Sequence, residues 1–183
     1  MRRLFIPPKL AVMAFFLAFS CADKQDFDQF DDLEITPTVA SSLFYLESEE
    51  QHINAVGGLA NFYTQLVNFE AFNEEFVAER LMDGKIIYEI ENTTSKELNI
   101  TIEFLDEGGN VLDAQVFDVD PAPSPLFSLE VFYGSGGKSI DILTATTGLR
   151  INATNLGDST SVSALPEPKL ILRSAAEFRF RLK

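Results

Sequence analysis

The sequence holds one cysteine, one histidine and no tryptophan. The lone cysteine, Cys21, cannot close an intramolecular disulfide, which excludes a stapled secreted fold. The lone histidine, His52, follows Ser48-Glu49-Glu50-Gln51 and has too few companions for a zinc site, which usually combines several His or Cys ligands. No nucleophile-elbow motif accompanies it, so a Ser-His-Asp triad lacks the context that would confirm one. His52 is expected at the surface. Base is scarce: 14 Lys and Arg stand against 28 Asp and Glu, for a formal charge of −14. That argues against nucleic acid as a partner, because such binding depends on cations neutralising phosphates. It also argues against general electrostatic adhesion to an anionic membrane. Long apolar runs are missing too. Leu10 to Phe19 is unbroken but has 10 residues, about half of what a helix needs to cross a bilayer.

What is present at the start is an ordered leader. Arg2, Arg3 and Lys9 form a positive head, Leu10 to Phe19 an apolar centre, and Ser20 a small residue before Cys21. That is the order of a secretory signal, and it predicts residues 1–20 as a signal peptide. Leu17-Ala18-Phe19-Ser20-Cys21 resembles the lipobox of bacterial lipoproteins, with Phe19 bulkier than the usual residue. The resemblance implies that Cys21 becomes the acylated first residue and that the acyl chains supply the membrane contact. Each buried methylene contributes roughly 0.8 kcal/mol to such an anchor. The mature chain would then carry a charge near −17, since three basic residues and no acid leave with the signal.

Residues 21–38 read as the acylated cysteine and an acidic tether. Asp23, Asp26, Asp28, Asp31, Asp32 and Glu34 crowd it with little hydrophobic periodicity, and acidic runs repel and stay open. Asp26, Asp28, Asp31 and Asp32 could also hold Ca²⁺, which needs several oxygen ligands, but the EF-hand spacing and its closing Glu are missing. Ala22-Asp23-Lys24-Gln25-Asp26 is similar to the acidic stretch that follows the acylated cysteine in Bacteroidota lipoproteins displayed at the cell surface. Its acids are spread out instead of adjacent, so the membrane face stays undetermined.

From residue 39 to 183 the pattern predicts a single domain. Ser42 to Leu46 is a short strand candidate, and 60–69 is ambiguous between strand and helix. Phe72, Phe76, Val77 and Leu81 recur at helical spacing, with Asn73 as a cap and a stop near Asp83-Gly84. Period-two alternation then dominates. Ile86, Tyr88 and Ile90 share a face, and Leu98, Ile100, Ile102 and Phe104 alternate with Asn99, Thr101 and Glu103. Asp106 to Asn110 is a turn cluster, which pairs 97–105 with 111–119 antiparallel. Asp120 to Pro125 is a proline-broken loop. Phe127, Leu129, Val131 and Tyr133 line a further strand. Ser139 to Thr147 reads as one or two helical turns, Leu149 to Ala153 as a strand, Asn155 to Pro168 as a polar loop, and about Lys169 to Leu182 as the last strand. About seven strands with one apolar face each imply two antiparallel sheets packed face to face. The expected fold is mainly β: an antiparallel β-sandwich, immunoglobulin-like in the broad sense, with one or two short helices.

The stretch from Ile87 to Thr94, followed by Ile102-Glu103-Phe104-Leu105-Asp106, resembles a group of small flavobacterial envelope lipoproteins. Its members share a tether, a sandwich and a late Leu-x-Leu-x-Ser segment, here Leu170-Ile171-Leu172-Arg173-Ser174. The resemblance implies location and fold and brings no assigned activity.

Chemistry-bearing residues are few. Asp118 and Asp120 are two apart and could act as paired carboxylates in a glycan hydrolase, although such pairs arise by chance in an acid-rich chain. Gly134-Ser135-Gly136-Gly137-Lys138 lacks P-loop spacing and reads as a hairpin-type turn. Asp158-Ser159-Thr160 matches the short acceptor motif for O-glycosylation at Ser159 in exported Bacteroidota proteins. Asn92, Asn99 and Asn152 begin N-x-Thr triplets, which mean little in a bacterial protein. Lys169, Arg173, Arg179, Arg181 and Lys183 are all odd-numbered positions and would share one wet face under strict alternation. They form either a docking strip for an acidic partner or lipopolysaccharide phosphates, or a row of cross-strand pairs with acids such as Glu89, Glu91 or Glu103. No catalytic set, metal site or cofactor is expected. The leading expectation is a non-enzymatic outer-membrane lipoprotein that binds or assembles with an envelope protein or glycan. The alternatives are a carboxylate-dependent hydrolase and a sandwich that holds an apolar ligand.

Overall fold

A computed structural model of the chain describes residues 34–69 and 75–182. Cys21, Asp26, Asp28, Asp31, Asp32 and Lys183 lie outside the described residues. The period-two segments become eight strands: β1 (Thr38–Glu49), β2 (Ala60–Asn68), β3 (Leu81–Asn92), β4 (Leu98–Leu105), β5 (Val111–Val119), β6 (Phe127–Tyr133), β7 (Gly148–Asn155) and β8 (Lys169–Phe180). Among the described residues three short helices accompany them: α1 (Glu50–Val56), α2 (Glu75–Ala78) and α3 (Ile140–Ala145). No helix among the described residues is long and apolar enough to cross a membrane.

The strands form two four-stranded sheets, in the orders β1-β8-β3-β6 and β2-β7-β4-β5. Every pairing within them is antiparallel. The expected two-sheet sandwich is the fold, and its strand order is that of an eight-stranded jelly roll. Alternation sets which face is dry. Ile86, Tyr88 and Ile90 of β3 pack toward Ile100, Ile102 and Phe104 of β4, with Leu172 and Phe178 of β8 in the same core. Ile53 of α1 and Leu143 of α3 are completely buried in that core.

Two local expectations need correction, and one left open is decided. The helix expected to run to Leu81 ends at Ala78 of α2, and Leu81 opens β3; Phe72 and Asn73 lie outside the described residues. The Asp83-Gly84 pair is not a helix stop. It lies inside β3, where a Cβ at Gly84 would meet Phe178 Cδ1 at 2.5 Å, so glycine is required by the close approach of β8. The ambiguous 60–69 segment is the edge strand β2, the eighth strand. A register shift between Asn61 and Tyr63 breaks its alternation, which is why its period reads poorly. The polar stretch around His52 is helix α1, and His52 is exposed on it.

The registers also give the sandwich two distinct ends. Ile35 and Pro37 accept backbone bonds from Leu182 and Phe180, beside the start of β3 and the end of β6. The chain therefore enters the sandwich there. The opposite end carries α1 and the loops 93–97, 120–126 and 156–168. Ile90 lies seven residues beyond Asp83 along β3, so the two ends are separated by at least roughly 20 Å at a strand rise of about 3.3 Å per residue.

Candidate functional site

β5 and β6 are consecutive in sequence but belong to different sheets, and each is an edge strand. Their inward-facing side chains meet across the mouth of the sandwich. Near the chain-entry end this mouth is closed. Lys138 Nζ lies 2.7 Å from Asp113 Oδ2, and the Tyr133 hydroxyl donates to the same oxygen at 3.3 Å. Burial, followed by the nearby Asp113 charge, pushes the Tyr133 phenol up. The Lys138 ammonium of the Gly134 to Lys138 turn is thus engaged by Asp113.

At the far end the same mouth is open. A groove of about 510 Å³ lies beside the 120–126 crossover, with Ile90, Phe117, Val119, Leu126, Phe127 and Leu129 among its lining. Phe127 and Leu129 pair with Ile90 and Tyr88 of β3, so they belong to the apolar row of the sheet. They nevertheless stay 45% and 36% exposed. Leu126 and Val116 add further exposed apolar surface. Apolar side chains that point toward a core yet remain wet form the kind of patch at which proteins commonly meet partners or ligands.

The groove floor is held rigid from behind. Tyr88, Phe117 and Phe127 form an aromatic chain, with centroid spacings of 5.3 Å and 5.7 Å. Tyr88 is fully buried, and desolvation, then the charges of Tyr133 and Asp113, push its phenol up.

The crossover wall is held by Asn92, which is buried at the end of β3. Its Nδ2 donates to the Asp120 and Lys96 carbonyls, both at 2.8 Å. Its Oδ1 accepts from the Thr94 amide and hydroxyl. Ala122 N donates to Thr94 O, and the Ser124 hydroxyl to Asn92 O.

Next to this hub is a second polar cluster. Lys96 is fully buried, and its Nζ donates to Ser161 O and Ser161 Oγ at 2.7 Å and to Asp158 Oδ1 at 3.1 Å. Bonds from the Ser161 and Thr160 amides, the Ser161 hydroxyl and Lys96 hold the Asp158 carboxyl well below the usual carboxylate range. Burial pushes the Glu50 carboxyl up. The Ser95 and Ser163 amides, the Ser95 hydroxyl and the Lys96 charge outweigh that, and the net shift is down. These bonds tie α1, the β3–β4 loop and the 156–168 loop into one unit at the groove end.

The residues singled out in the sequence fall as follows. Asp118 and Asp120 are both exposed and line the groove. Asp118 accepts from Asn99 Nδ2 at 2.8 Å. Ser159 lies half-buried in the loop that Asp158 organises. The basic row is partly gathered on one face: Lys169 pairs with Glu47 at 2.9 Å, Arg173 with Glu91 at 4.0 Å, and Arg179 with Asp83. Arg181 lies beyond the end of β8. The row is interleaved with acids from β1 and β3, of which Glu91 is one named from the sequence; Glu103 pairs instead with Arg150. Among the described residues no group of three or more His, Cys, Asp or Glu side chains is placed to hold a metal.

A second cavity, of about 520 Å³, lies between β1, α1 and the start of β8 and includes Glu47, Glu49, Glu50 and Glu167. Its acids are largely engaged within the fold. Glu47 accepts from Lys169 and Tyr45, and Glu50 from Ser95 and Ser163. The β5–β6 groove is the better candidate because Leu126, Phe127 and Leu129 of its lining stay exposed.

The sequence did not reveal Asn92, Lys96 or Glu50. Asn92 stood out only through its N-x-Thr triplet. A buried polar hub leaves no periodic signal: Asn92 binds its near neighbours Thr94 and Lys96 as well as Asp120, and Lys96 and Glu50 reach the distant 156–168 loop.

No protein-family model and no curated protein matches the chain. Among solved structures, the infectious bursal disease virus VP2 subviral particle aligns at 10% identity and a TM-score of 0.37, over 82% of this chain and 33% of that one. The chain thus spans about a third of that capsid protein. Turnip yellow mosaic virus aligns at 10% identity and 0.38, over 82% of both chains. The Bacillus endospore appendages, disulfide-linked pili, align at 11% and 0.34, over 82% of this chain and 92% of that one. Likenesses this distant carry no argument about function. The jelly-roll assignment rests on the strand order and registers above.

Proposed function

We propose that the chain is a non-enzymatic binding module of the cell envelope, anchored at the outer membrane through acyl chains on Cys21, and that the β5–β6 groove is its binding surface. The observation that carries this reading is the exposure of Phe127 and Leu129, which belong to the inward apolar row yet lie open at the groove. The entry of the chain at the opposite end supports it.

The reading that the sandwich holds an apolar ligand is favoured by the same groove and differs in the occupant alone. The hydrolase reading is less supported, because Asp118 and Asp120 are both exposed and catalytic acids are usually tuned by burial. Anchoring is tested by intact mass of the protein purified from its host: loss of residues 1–20 and acylation of Cys21 support it, and an unmodified Cys21 refutes it. The binding surface is tested by Leu129→Asp in intact cells. Loss of a defined cross-linked partner, with export unchanged, supports the groove, and undiminished capture refutes it.

A further inference from the structure

We infer that the groove takes an extended peptide segment of a partner protein in which apolar residues alternate with Lys or Arg, added as a strand to the free edge of β6. This rests on the reading of the groove as the binding surface.

Three observations define the occupant. The first is the free edge itself. Among the described residues β6 pairs with β3 on one side and with no strand on the other; Lys138 bridges Tyr133 and donates its amide to Phe132 O there, so the part of that edge open to strand addition is 127–131. A strand laid there continues the sheet, and its inward side chains fall beside Phe127 and Leu129, closing the mouth against Phe117 and Val119.

The second is charge. Asp118 and Asp120 are at the groove, and neither forms an ion pair among the described residues. No Lys or Arg is among the residues lining it. An anionic occupant, such as a fatty acid or an acidic phospholipid, would meet uncompensated carboxylates at close range. A cationic segment would meet its complement. A second copy of this chain is disfavoured on the same ground, since each copy carries a formal charge of −14.

The third is rigidity. The crossover wall is fixed by Asn92 and Thr94 through their bonds to Asp120, Ala122 and Ser124. A preorganised wall reduces the ordering cost of binding.

The test uses the full chain in detergent micelles, with backbone amide NMR as the readout. The probe is a soluble peptide matched to the open part of the β6 edge, 127–131, alternating Val or Thr with Lys. A peptide alternating with Glu and free palmitate are the comparison probes. The inference predicts that the Lys peptide shifts amides within 116–129 and protects β6 amides from exchange. Asp118→Asn and Asp120→Asn should each weaken that binding by about two- to fivefold, as expected for an exposed ion pair, and added salt should weaken it further. The inference is overturned if the Glu peptide binds equally well. It is also overturned if palmitate shifts the groove amides and the Lys peptide does not, a result that leaves the groove itself standing as a binding surface. If none of the three probes perturbs 116–129, the inference falls and the groove reading falls with it.

Discussion

Tyr88 of β3 and Phe117 of β5 meet across the two sheets with ring centroids 5.3 Å apart, and Phe117 in turn stands 5.7 Å from Phe127. The chain of rings runs from a fully buried position to an open one. It joins the core of the sandwich to the groove, so substitutions along it should separate stability from binding.

Phe127→Ala removes a side chain that is 45% exposed, whereas Phe104→Ala removes one that is completely buried. The first should cost about 1–2 kcal/mol, mostly lost aromatic contact. The second should cost about 3–5 kcal/mol, because it leaves a cavity. Urea denaturation of the two variants measures the difference. Equal losses would mean that Phe127 is core and the groove is closed.

The Tyr88 hydroxyl is buried and has no hydrogen-bond partner among the described residues, and neither does that of Ser174, its register neighbour on β8. An unpaired buried hydroxyl is costly. Tyr88→Phe should therefore be neutral or raise stability by up to about 1 kcal/mol. A thermal melt that shows a clear loss would contradict this placement of the ring.

Lys96→Met keeps the apolar stem but removes the donor to Ser161 and Asp158. The expected cost is about 1–3 kcal/mol. Hydrogen exchange should quicken in 156–168 and in the 93–97 loop, while β4 keeps its protection. Uniform loss across all strands would show that the cluster is not local.

Acid should loosen the groove end first. The folded carboxyls of Glu50 and Asp158 are both held below their ordinary values. Such groups add stability that is fully present above the ordinary carboxylate pKa of roughly 4 and is lost as pH falls through the lower folded values. Glu50→Gln and Asp158→Asn should each lower stability at neutral pH and flatten its fall below about pH 4. An unchanged acid limb in both variants would contradict the assigned bonds.

Much of the fold was legible because alternation reports burial directly. Leu98, Ile100, Ile102 and Phe104 are all completely buried, as their spacing implies. Legibility failed where a local signal served a distant contact. Gly84 resembles a helix stop but makes room for Phe178. Asn61 to Tyr63 hides its strand behind a register shift. Within β8 the basic residues extend only to Arg179, and the acids that pair with Lys169, Arg173 and Arg179 come from β1 and β3 together. The row Phe127, Leu129, Val131 and Tyr133 was readable as one face. That its two ends differ, one closed by Lys138 and Asp113 and the other open, depends on a contact between sheets that no single strand encodes.

The central claim is that the open end of that row is where a partner binds. A photo-cross-linking residue placed at 129 in the anchored chain, in intact cells, tests it most directly against the same residue placed at Tyr45, an exposed position on the opposite edge strand. The account predicts one discrete adduct from position 129, none from position 45, and loss of the adduct when Asp118 and Asp120 are both changed to Lys. Equal capture from the two positions, or capture from 45 alone, would contradict it.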